Sequence, residues 1–312
     1  MKKVLIPTAL DSVAKEILEA RGDYEVVQIP KVDILQYARE NPDLHAIIVR
    51  SEPITPEIID AAPALKVIVR AGAGYNTIDI HYARQKGIDV MNTPGANSNG
   101  VAEEVVALML ADARHLVAAD ASCRCGKWEK SSFMGTEITG KTMGIVGLGF
   151  IGKLLAKRLS GFEMKLLGYD PNAPTQDADL LGIELVGLAE LFARSDYVSL
   201  HLPENAKTKG SINRDLFSLM KTGATLINCA RAGVINEDDL RVFKAEKNLR
   251  FLNDVYPKDE EGPKSIADIA DIMAPHLGAS TFEANRKAAE LAAHQLIALN
   301  AKGKHPAVVN KA

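Results

Sequence analysis

The segment MGIVGLGFIG, residues 143–152, decides the fold of this chain. A short apolar run, MGIV, leads directly into Gly147, Gly149 and Gly152, and the helical pattern IGKLLAKRLSGF overlaps the last of these glycines. In this context the first glycine permits a tight turn, the second lets the backbone approach a pyrophosphate, and the third lets the helix pack on the strand. A helix N-terminus also favours the negative charge of phosphate. The segment therefore predicts a dinucleotide-binding strand-turn-helix unit.

A carboxylate follows at the distance that such a unit requires. Eighteen residues beyond Gly152, the run KLLGYD ends in Asp170. A carboxylate here can accept hydrogen bonds from the ribose hydroxyls and repels a 2′-phosphate, so we expect NAD to be preferred over NADP. The alternative, a turn acid before Pro171, is weaker because the glycines precede it.

Short runs rich in Val, Ile and Leu recur along the chain, separated by stretches with helical spacing. Continuous apolarity predicts strands buried on both faces, and hence parallel sheets with helices on each side. One series runs from KVLIP to DVMNTP (3–94) and a second from MGIVGLG to DIMAPH (143–276). The expected fold class is α/β, with two doubly wound parallel-sheet domains. The segment 99–120 predicts one long buried helix, and the segment after 282 predicts a helix that returns to the first domain.

Composition excludes several classes of protein. The chain has 312 residues, 47% hydrophobic and 25% charged, which is enough for two cores. A net charge of -3 and a pI near 6.2 give no electrostatic footprint for nucleic acid. No apolar run approaches the length of a membrane span or reads as a secretion signal, so no membrane association is expected. Cys123, Cys125 and Cys229 have neither a disulfide-framework nor a metal-ligand spacing, so we expect no metal site and a cytoplasmic location.

Three kinds of polar side chain follow strands of the second series, at the edge where an open parallel sheet binds ligands. Arg231 follows LINCA, His276 follows DIMAP, and the acidic run DVYPKDEEG (254–262) follows FLN. An arginine offers a fork of donors to a carboxylate, a histidine can take a hydroxyl proton, and a nearby acid favours the protonated ring. Each alone is more often structural. Together, downstream of a dinucleotide fingerprint, they predict hydride transfer to or from a 2-hydroxy acid.

Several stretches together resemble the D-isomer-specific 2-hydroxyacid dehydrogenases, and most of all their phosphoglycerate branch. They are VRSEPIT (49–55), VRAGAGYNTID (69–79), MNTPGANS (91–98), GKWEKSSFMGTEITGKTMGIVGLGFIG (126–152), GYDP (168–171), NCARAGVINEDDL (228–240) and PHLGAST (275–281). The resemblance implies a Rossmann-type NAD domain, residues 98–282, inserted in a flavodoxin-like substrate domain, residues 1–97 and 283–312. It also implies a homodimer formed through the NAD domain.

The resemblance implies roles for individual residues. Arg231 would hold the substrate carboxylate and carbonyl, and His276 would be the proton donor and acceptor. Arg50 and Arg70 would face a substrate phosphate, with further substrate contacts from Ser51, Gly72, Ala73, Gly74 and Asn97. The implied cofactor-binding residues are Ala73, Gly147, Gly149, Phe150, Ile151, Gly152, Asp170, His201, Leu202, Pro203, Thr208, Cys229, Ala230, Arg231, Asp254, His276, Gly278 and Ala279.

The implied activity is NAD-dependent oxidation of 3-phospho-D-glycerate to 3-phosphohydroxypyruvate, the first step of L-serine biosynthesis. One alternative is a reductase for glyoxylate, hydroxypyruvate or another D-2-hydroxy acid. Another is an NAD-responsive scaffold similar to the carboxyl-terminal-binding-protein corepressors, which Arg231, His276 and the lack of long disordered extensions argue against. The chain stops near residue 312, where many relatives continue into serine-sensing domains, so feedback by serine is not expected.

The acidic partner of His276 is where this chain departs from the family pattern. The family usually has a glutamate directly before a proline, whereas this chain has AspGluGluGly. Counting from Asp254 assigns the role to Asp259, and counting from Arg231 assigns it to Glu260. Because a longer side chain can absorb a register shift of one residue, the sequence favours Glu260, with Asp259 as the alternative.

Overall fold

A computed structural model describes residues 1–172 and 174–311. The chain divides into two compact units, one formed by Met1–Asn97 with the segment from Ser280 onward, the other by Ser98–Ala279. Ser280 lies three positions before residue 283, where the sequence analysis began the second part of the substrate domain. Residue 312, the end of that predicted domain, lies outside the described residues.

The first unit contains a five-stranded parallel sheet in the order β2-β1-β3-β4-β5, which is the flavodoxin-like order that was predicted. Strands β3 and β4 are central and almost wholly buried, as continuous apolar runs require. Strand β2 was missed by the sequence analysis because it is an edge strand with only two consecutive apolar residues and an exposed Glu25. The strands are β1 Lys2–Ile6, β2 Tyr24–Gln28, β3 Leu44–Val49, β4 Val67–Arg70 and β5 Asp89–Asn92.

Four short helices connect these strands: α1 Val13–Glu19, α2 Ile34–Glu40, α3 Pro56–Ala61 and α4 Ile80–Gln85. Residues at the start of each of three of these helices explain why the helix begins there. The Asp33 carboxylate accepts from the N–H of Gln36 at 3.1 Å, and the Asp79 carboxylate accepts from the N–H of Tyr82 at 2.9 Å. Pro56 occupies the first position of α3, where no backbone donor is needed.

The second unit contains a seven-stranded parallel sheet in the order β12-β11-β10-β9-β6-β7-β8. The direction of strand order reverses between β6 and β9, which is the arrangement of a Rossmann sheet with one added strand. The three-residue edge strand β8 was not predicted. The strands are β6 Thr142–Val146, β7 Lys165–Tyr169, β8 Ile183–Leu185, β9 Tyr197–Leu200, β10 Thr225–Asn228, β11 Arg250–Asn253 and β12 Ile272–Met273.

The single helix predicted over 99–120 was wrong. The segment forms α5 Ser98–Ala113 and α6 Leu116–Arg124, separated at His115, which has a left-handed backbone (φ 52°). In the last turn of α5, the Asp112 carboxylate accepts a hydrogen bond from Nε of Arg250, the first residue of β11, at 2.5 Å. Helix α6 has no buried residue, so its apolar side chains do not continue the core that α5 joins.

The other helices of the second unit connect its strands: α7 Phe150–Leu159, α8 Thr175–Leu180, α9 Leu188–Arg194, α10 Arg214–Leu219 and α11 Glu237–Lys247. Helix α12, Phe282–Lys302, then joins the first unit, where its alanines pack in the same core as α1. The N–H of Val309 donates to the carbonyl of Val90 at 2.8 Å, so the tail returns to β5. In the described part of the chain, no helix combines the length and apolarity needed to cross a membrane.

Candidate active site

The glycine turn after β6 has the shape that a dinucleotide needs. Gly147 has φ 100°, and a side chain there would place Cβ 2.5 Å from the carbonyl oxygen of His201. A Cβ on Gly152 would collide with the carbonyl of Gly147. A Cβ on Gly149 would instead meet open space, so this position is free for a ligand. No side chain caps the start of α7, which leaves its first N–H groups available to a pyrophosphate.

Asp170 holds this turn against the end of β7. Its Oδ2 accepts from the N–H of Leu148 at 2.9 Å, and its Oδ1 accepts from the N–H of Asn172 at 2.8 Å. Each carboxylate oxygen has a second lone pair, so both can still accept from a ribose hydroxyl. The turn, the helix start and Asp170 therefore fit NAD. Around them lie Phe150, 64% exposed, and the half-buried Ile151 and Leu202.

His201 lies beneath the turn at the end of β9. Its Nε2 is 3.0 Å from Ser199 Oγ, and burial lowers the pKa of the ring to about 4, so it is neutral at physiological pH. Among the described residues its buried Nδ1 has no hydrogen-bond partner. Beyond it, Thr208 Oγ1 donates to the carbonyl of Pro203 at 2.5 Å and fixes the loop that follows β9.

The end of β11 positions the turn that carries His276. The buried Asp254 carboxylate accepts from the N–H groups of Leu277 at 2.6 Å and Gly278 at 3.0 Å. Burial raises the pKa of Asp254, while these two hydrogen bonds lower it. His276 has φ 58°, a conformation that costs energy for a non-glycine residue and therefore needs support from the next two residues. The half-buried Ala279 ends the turn.

The ring of His276 is paired with Asp259. Its Nδ1 lies 2.7 Å from Asp259 Oδ2, which directs Nε2 away from the carboxylate. The sequence favoured Glu260 for this role, but the acid that contacts the ring is Asp259, the alternative. At Glu260, the carbonyl oxygen accepts from Lys264 Nζ, whereas the side chain makes no hydrogen bond or ion pair within the described residues. This contact agrees with the count from Asp254, which assigned the role to Asp259.

Arg231 follows β10 in a turn shaped by Asn228. The Asn228 amide donates to the carbonyl of Arg231 at 3.0 Å, and its Oδ1 accepts from the N–H of Ala230 at 3.1 Å. Arg231 Nη1 donates to the carbonyl of Ala230 at 2.6 Å, and the guanidinium makes no other hydrogen bond or ion pair with the described residues. Its remaining donors are free for a ligand. Cys229 and Ala230 are buried beside it.

Sequence reasoning missed two positioning residues, Asn228 and Asn253. Each is the last residue of its strand and is almost fully buried. The Asn253 amide donates to the carbonyl of Val255 at 2.7 Å, as Asn228 does one strand away. The sequence does contain a signal for them. A buried asparagine at the carboxyl end of a strand needs hydrogen-bond partners, and the turn that follows is where it can find them.

In the first unit, two arginines leave adjacent strands at one edge. Arg70 ends β4, and its Nε donates to the carbonyl of Arg50, the residue after β3, at 2.8 Å. The Arg70 guanidinium occupies the space that a side chain on Gly72 would need. Gly72 also has φ 155°, so another residue there would strain the backbone and move the Arg70 guanidinium. Glu52 accepts from the N–H groups of Arg50 and the exposed Ser51.

Two carbonyl groups of the loop after Arg70 accept hydrogen bonds from the residues at the end of β5 and just after it. The Asn92 amide donates to the carbonyl of Ala73 at 2.6 Å, and the N–H of Thr93 donates to the carbonyl of Gly72 at 2.9 Å. The N–H groups of Ala73 and Gly74 donate to no group among the described residues. The buried Oδ1 of Asn97 is also unpartnered within them. The two free N–H groups are of the kind that bind a small anion, whereas Asn97 Oδ1 can only accept a hydrogen bond.

Comparison with known proteins gives a consistent result. Residues 106–278 match the family model described as D-isomer specific 2-hydroxyacid dehydrogenase, NAD binding domain. The chain is 40% identical over 303 residues to a D-3-phosphoglycerate dehydrogenase of Methanocaldococcus jannaschii, covering 95% of this chain and 57% of that protein. It is 39% identical over 293 residues to a hydroxypyruvate reductase of Thermotoga maritima, covering 91% of this chain and 94% of that protein. The chain thus spans little more than half of the first relative.

A solved structure agrees over the full length. The NAD⁺-bound 3-phosphoglycerate dehydrogenase of Entamoeba histolytica aligns with a TM-score of 0.82 and 32% identity, covering 99% of each chain.

Proposed function

This chain belongs to the D-isomer specific 2-hydroxyacid dehydrogenase family, and we propose that it oxidises 3-phospho-D-glycerate to 3-phosphohydroxypyruvate with NAD. The observation that carries the proposal is the pair of arginines, Arg50 and Arg70, at one sheet edge of the first unit. Two arginine side chains that start at the carboxyl ends of adjacent strands suit a phosphate dianion in charge and in donor type.

The residues of the second unit supply the chemistry. His276 Nε2 takes the proton of the C2 hydroxyl, while Asp259 fixes the ring through Nδ1. Arg231 offers its free donors to the substrate carboxylate and to the oxygen on C2. When bound, NAD would supply the hydride acceptor; C2 would lose a hydride and its hydroxyl a proton, which together are two electrons and two protons.

The free N–H groups of Ala73 and Gly74 give the substrate a further contact. We place the substrate carboxylate against them, since two adjacent donors of this kind form a concave anion site. The unpartnered Asn97 Oδ1 would accept from a substrate hydroxyl.

A second candidate is reduction of hydroxypyruvate or glyoxylate. It is favoured by the Thermotoga relative, of which this chain covers 94%, against 57% for the phosphoglycerate dehydrogenase of Methanocaldococcus. Both candidates use the same residues of the second unit and differ in what Arg50 and Arg70 bind. A panel assay that follows NADH absorbance with phosphorylated and unphosphorylated acids separates them. Turnover of any of these acids would also exclude a purely structural, NAD-responsive scaffold.

We expect Arg70→Ala to raise KM for 3-phosphoglycerate by about 10- to 100-fold, because a hydrogen bond to a charged group contributes about 1.5–3 kcal/mol. KM for hydroxypyruvate should change much less. Arg84→Ala is the matched control, since Arg84 lies in the same unit and pairs with Asp89 at 2.8 Å. An unchanged KM for the phosphorylated acid in Arg70→Ala would refute the phosphate assignment and favour the reductase.

We further propose a homodimer formed through the second unit. Four large apolar side chains in α6 and the loop after it are exposed: Leu116 by 55%, Val117 by 57%, Trp128 by 87% and Met134 by 81%. Exposed apolar side chains mark an interface where they form one patch. Light scattering should give twice the 33.6 kDa chain mass. The double variant Leu116→Glu, Val117→Glu should become monomeric, whereas Leu180→Glu, at an exposed site in α8, should not; a wild-type monomer would refute the proposal.

A further inference from the structure

The loop 257–263 carries the acid that holds His276, yet all seven of its residues are exposed. Within the part of the chain that the structure describes, this loop makes two hydrogen bonds. Asp259 accepts from His276 Nδ1, and the carbonyl of Glu260 accepts from Lys264 Nζ. The bond from Lys264 is therefore what restrains the loop besides the contact with the ring itself.

The backbone of Lys264 belongs to a well-anchored part of the second unit. Its carbonyl accepts from the N–H of Ala267 at 3.1 Å, and the carbonyl of Ser265 accepts from Arg241 Nη2 of α11. The next residue, Ile266, is buried in the core. The position of Lys264 is thus fixed independently of the exposed loop that precedes it.

The ammonium group of Lys264 joins two points of the chain on either side of Asp259. It lies 5.3 Å from the centre of the Tyr256 ring, within the range of a cation–π contact, and it donates to the carbonyl of Glu260. Tyr256 directly precedes the loop and packs against the hydrophobic core that contains Ile266. One side chain therefore ties the residue after the acid to the anchored residue before the loop.

The short side chain of Asp259 makes this tie important. Aspartate has one methylene fewer than glutamate, so its backbone must lie close to His276 for the carboxylate to stand 2.7 Å from Nδ1. Within the described residues, the loop has no hydrogen bond between backbone groups. Such a loop samples many conformations, and only some of them bring the carboxylate to the ring. The contact from Lys264 removes part of that freedom before substrate binds.

We propose that Lys264 is a positioning residue for the reaction. It holds the loop so that Asp259 keeps the ring of His276 in the Nδ1–H form, which leaves Nε2 free to take the substrate proton. The hydrogen bond made at one ring nitrogen decides which nitrogen carries the proton. This inference rests on the role of His276 in the proposed function. Because Lys264 contacts the backbone of Glu260, it does not depend on the carboxylate of that residue.

Nitrogen-15 NMR of the full chain reports the form of the ring directly. The chain has seven histidines, and the spectrum of His276→Asn identifies the signals of this one. At about pH 9, where imidazole is neutral, we expect the Nδ1–H form in the wild type. In Lys264→Met the ring should shift towards the Nε2–H form, which free histidine favours.

Lys258→Met is the matched control for this measurement. Lys258 lies in the same loop and makes no hydrogen bond or ion pair within the described residues, so this variant should match the wild type. Lys264→Met should fold, because methionine keeps an apolar stem beside Tyr256 and carries no charge. The same ring form in Lys264→Met as in the wild type, or the Nε2–H form in the wild type itself, would overturn the proposal.

Turnover gives a second test. Lys264→Met should lower kcat by about 3- to 30-fold, a size usual for residues that share one contact network, with KM within about twofold of wild type. Lys264→Arg should recover most of the rate, because arginine also donates to carbonyls and lies over aromatic rings. Lys258→Met should keep the wild-type kcat. A wild-type kcat in Lys264→Met would contradict the positioning role.

A double-mutant cycle separates positioning from a general effect on the fold. If Lys264 acts through Asp259, Lys264→Met should have almost no effect in the Asp259→Asn background, where the charged acceptor is already absent. A loss of kcat as large as in the wild-type background would show that Lys264 acts by another route, and the proposal would fail.

The proposed substrate is tested separately. The NMR measurement uses neither cofactor nor hydroxy acid, so a failure to oxidise 3-phosphoglycerate would leave its result unaffected. Conversely, oxidation of 3-phosphoglycerate by the wild type, together with an unchanged ring form in Lys264→Met, would refute the Lys264 proposal alone.

Discussion

His276→Asn is expected to lower kcat by about 10²- to 10⁴-fold, the usual contribution of a positioned general acid or base. The ring is held by Asp259 at 2.7 Å, and its turn is held by Asp254 through the next two N–H groups. Asparagine cannot take the hydroxyl proton but leaves those backbone contacts in place. The rate is measured by NADH absorbance at saturating substrate, and NAD affinity by fluorescence should remain within a few-fold. Near-normal kcat would remove His276 from the mechanism.

The acids beside His276 provide a matched pair of controls. Asp259→Asn should lower kcat, because the amide no longer provides a charged acceptor and the ring loses its preferred orientation. Glu260→Gln should be close to wild type, since its side chain makes no contact with the ring. The opposite outcome would restore the assignment that the sequence alone favoured.

Arg231→Gln is expected to lower kcat/KM by about 10²- to 10³-fold, the usual cost of removing a preorganised donor at a site of developing charge. The turn around Arg231 is fixed by Asn228, so the variant should keep its backbone while losing the guanidinium. Arg214→Gln is a suitable control, because Arg214 is an exposed arginine of the same unit that pairs with Asp239 at 3.3 Å.

Two measurements decide the interpretation of Arg231→Gln. NAD affinity should be unchanged, which separates a substrate role from loss of the cofactor. Partial rescue of turnover by added guanidinium would support a direct contact with the substrate. A kcat/KM within about threefold of wild type would mean that the donors of Arg231 face water rather than the substrate.

The sequence predicted those parts of the fold that depend on local rules. The glycine turn, the central strands and Asp170 follow from sterics and burial that a short segment already specifies. Strands β2 and β8 were missed because edge strands need little apolar sequence. The helix break at His115 was missed because it depends on Asp112 being fixed by Arg250, a residue 138 positions away.

In the candidate site, too, the sequence predicted what local patterns specify and missed what depends on contacts between distant residues. Arg231 and His276 were found because both follow recognisable strands. Asp259 was ranked below Glu260 because the counts from Asp254 and from Arg231 disagreed, and only the folded chain shows which carboxylate contacts the ring.

The overlap between Arg70 and the empty side-chain position of Gly72 matters for anyone who wishes to change what the protein accepts. Any other residue at position 72 displaces the guanidinium, so a screen that varies position 72 alone also disables Arg70. A shorter side chain at position 70 would relieve that collision, although the backbone of Gly72 at φ 155° would still resist substitution. A library designed to change substrate choice should therefore vary residues 70 and 72 together rather than one at a time.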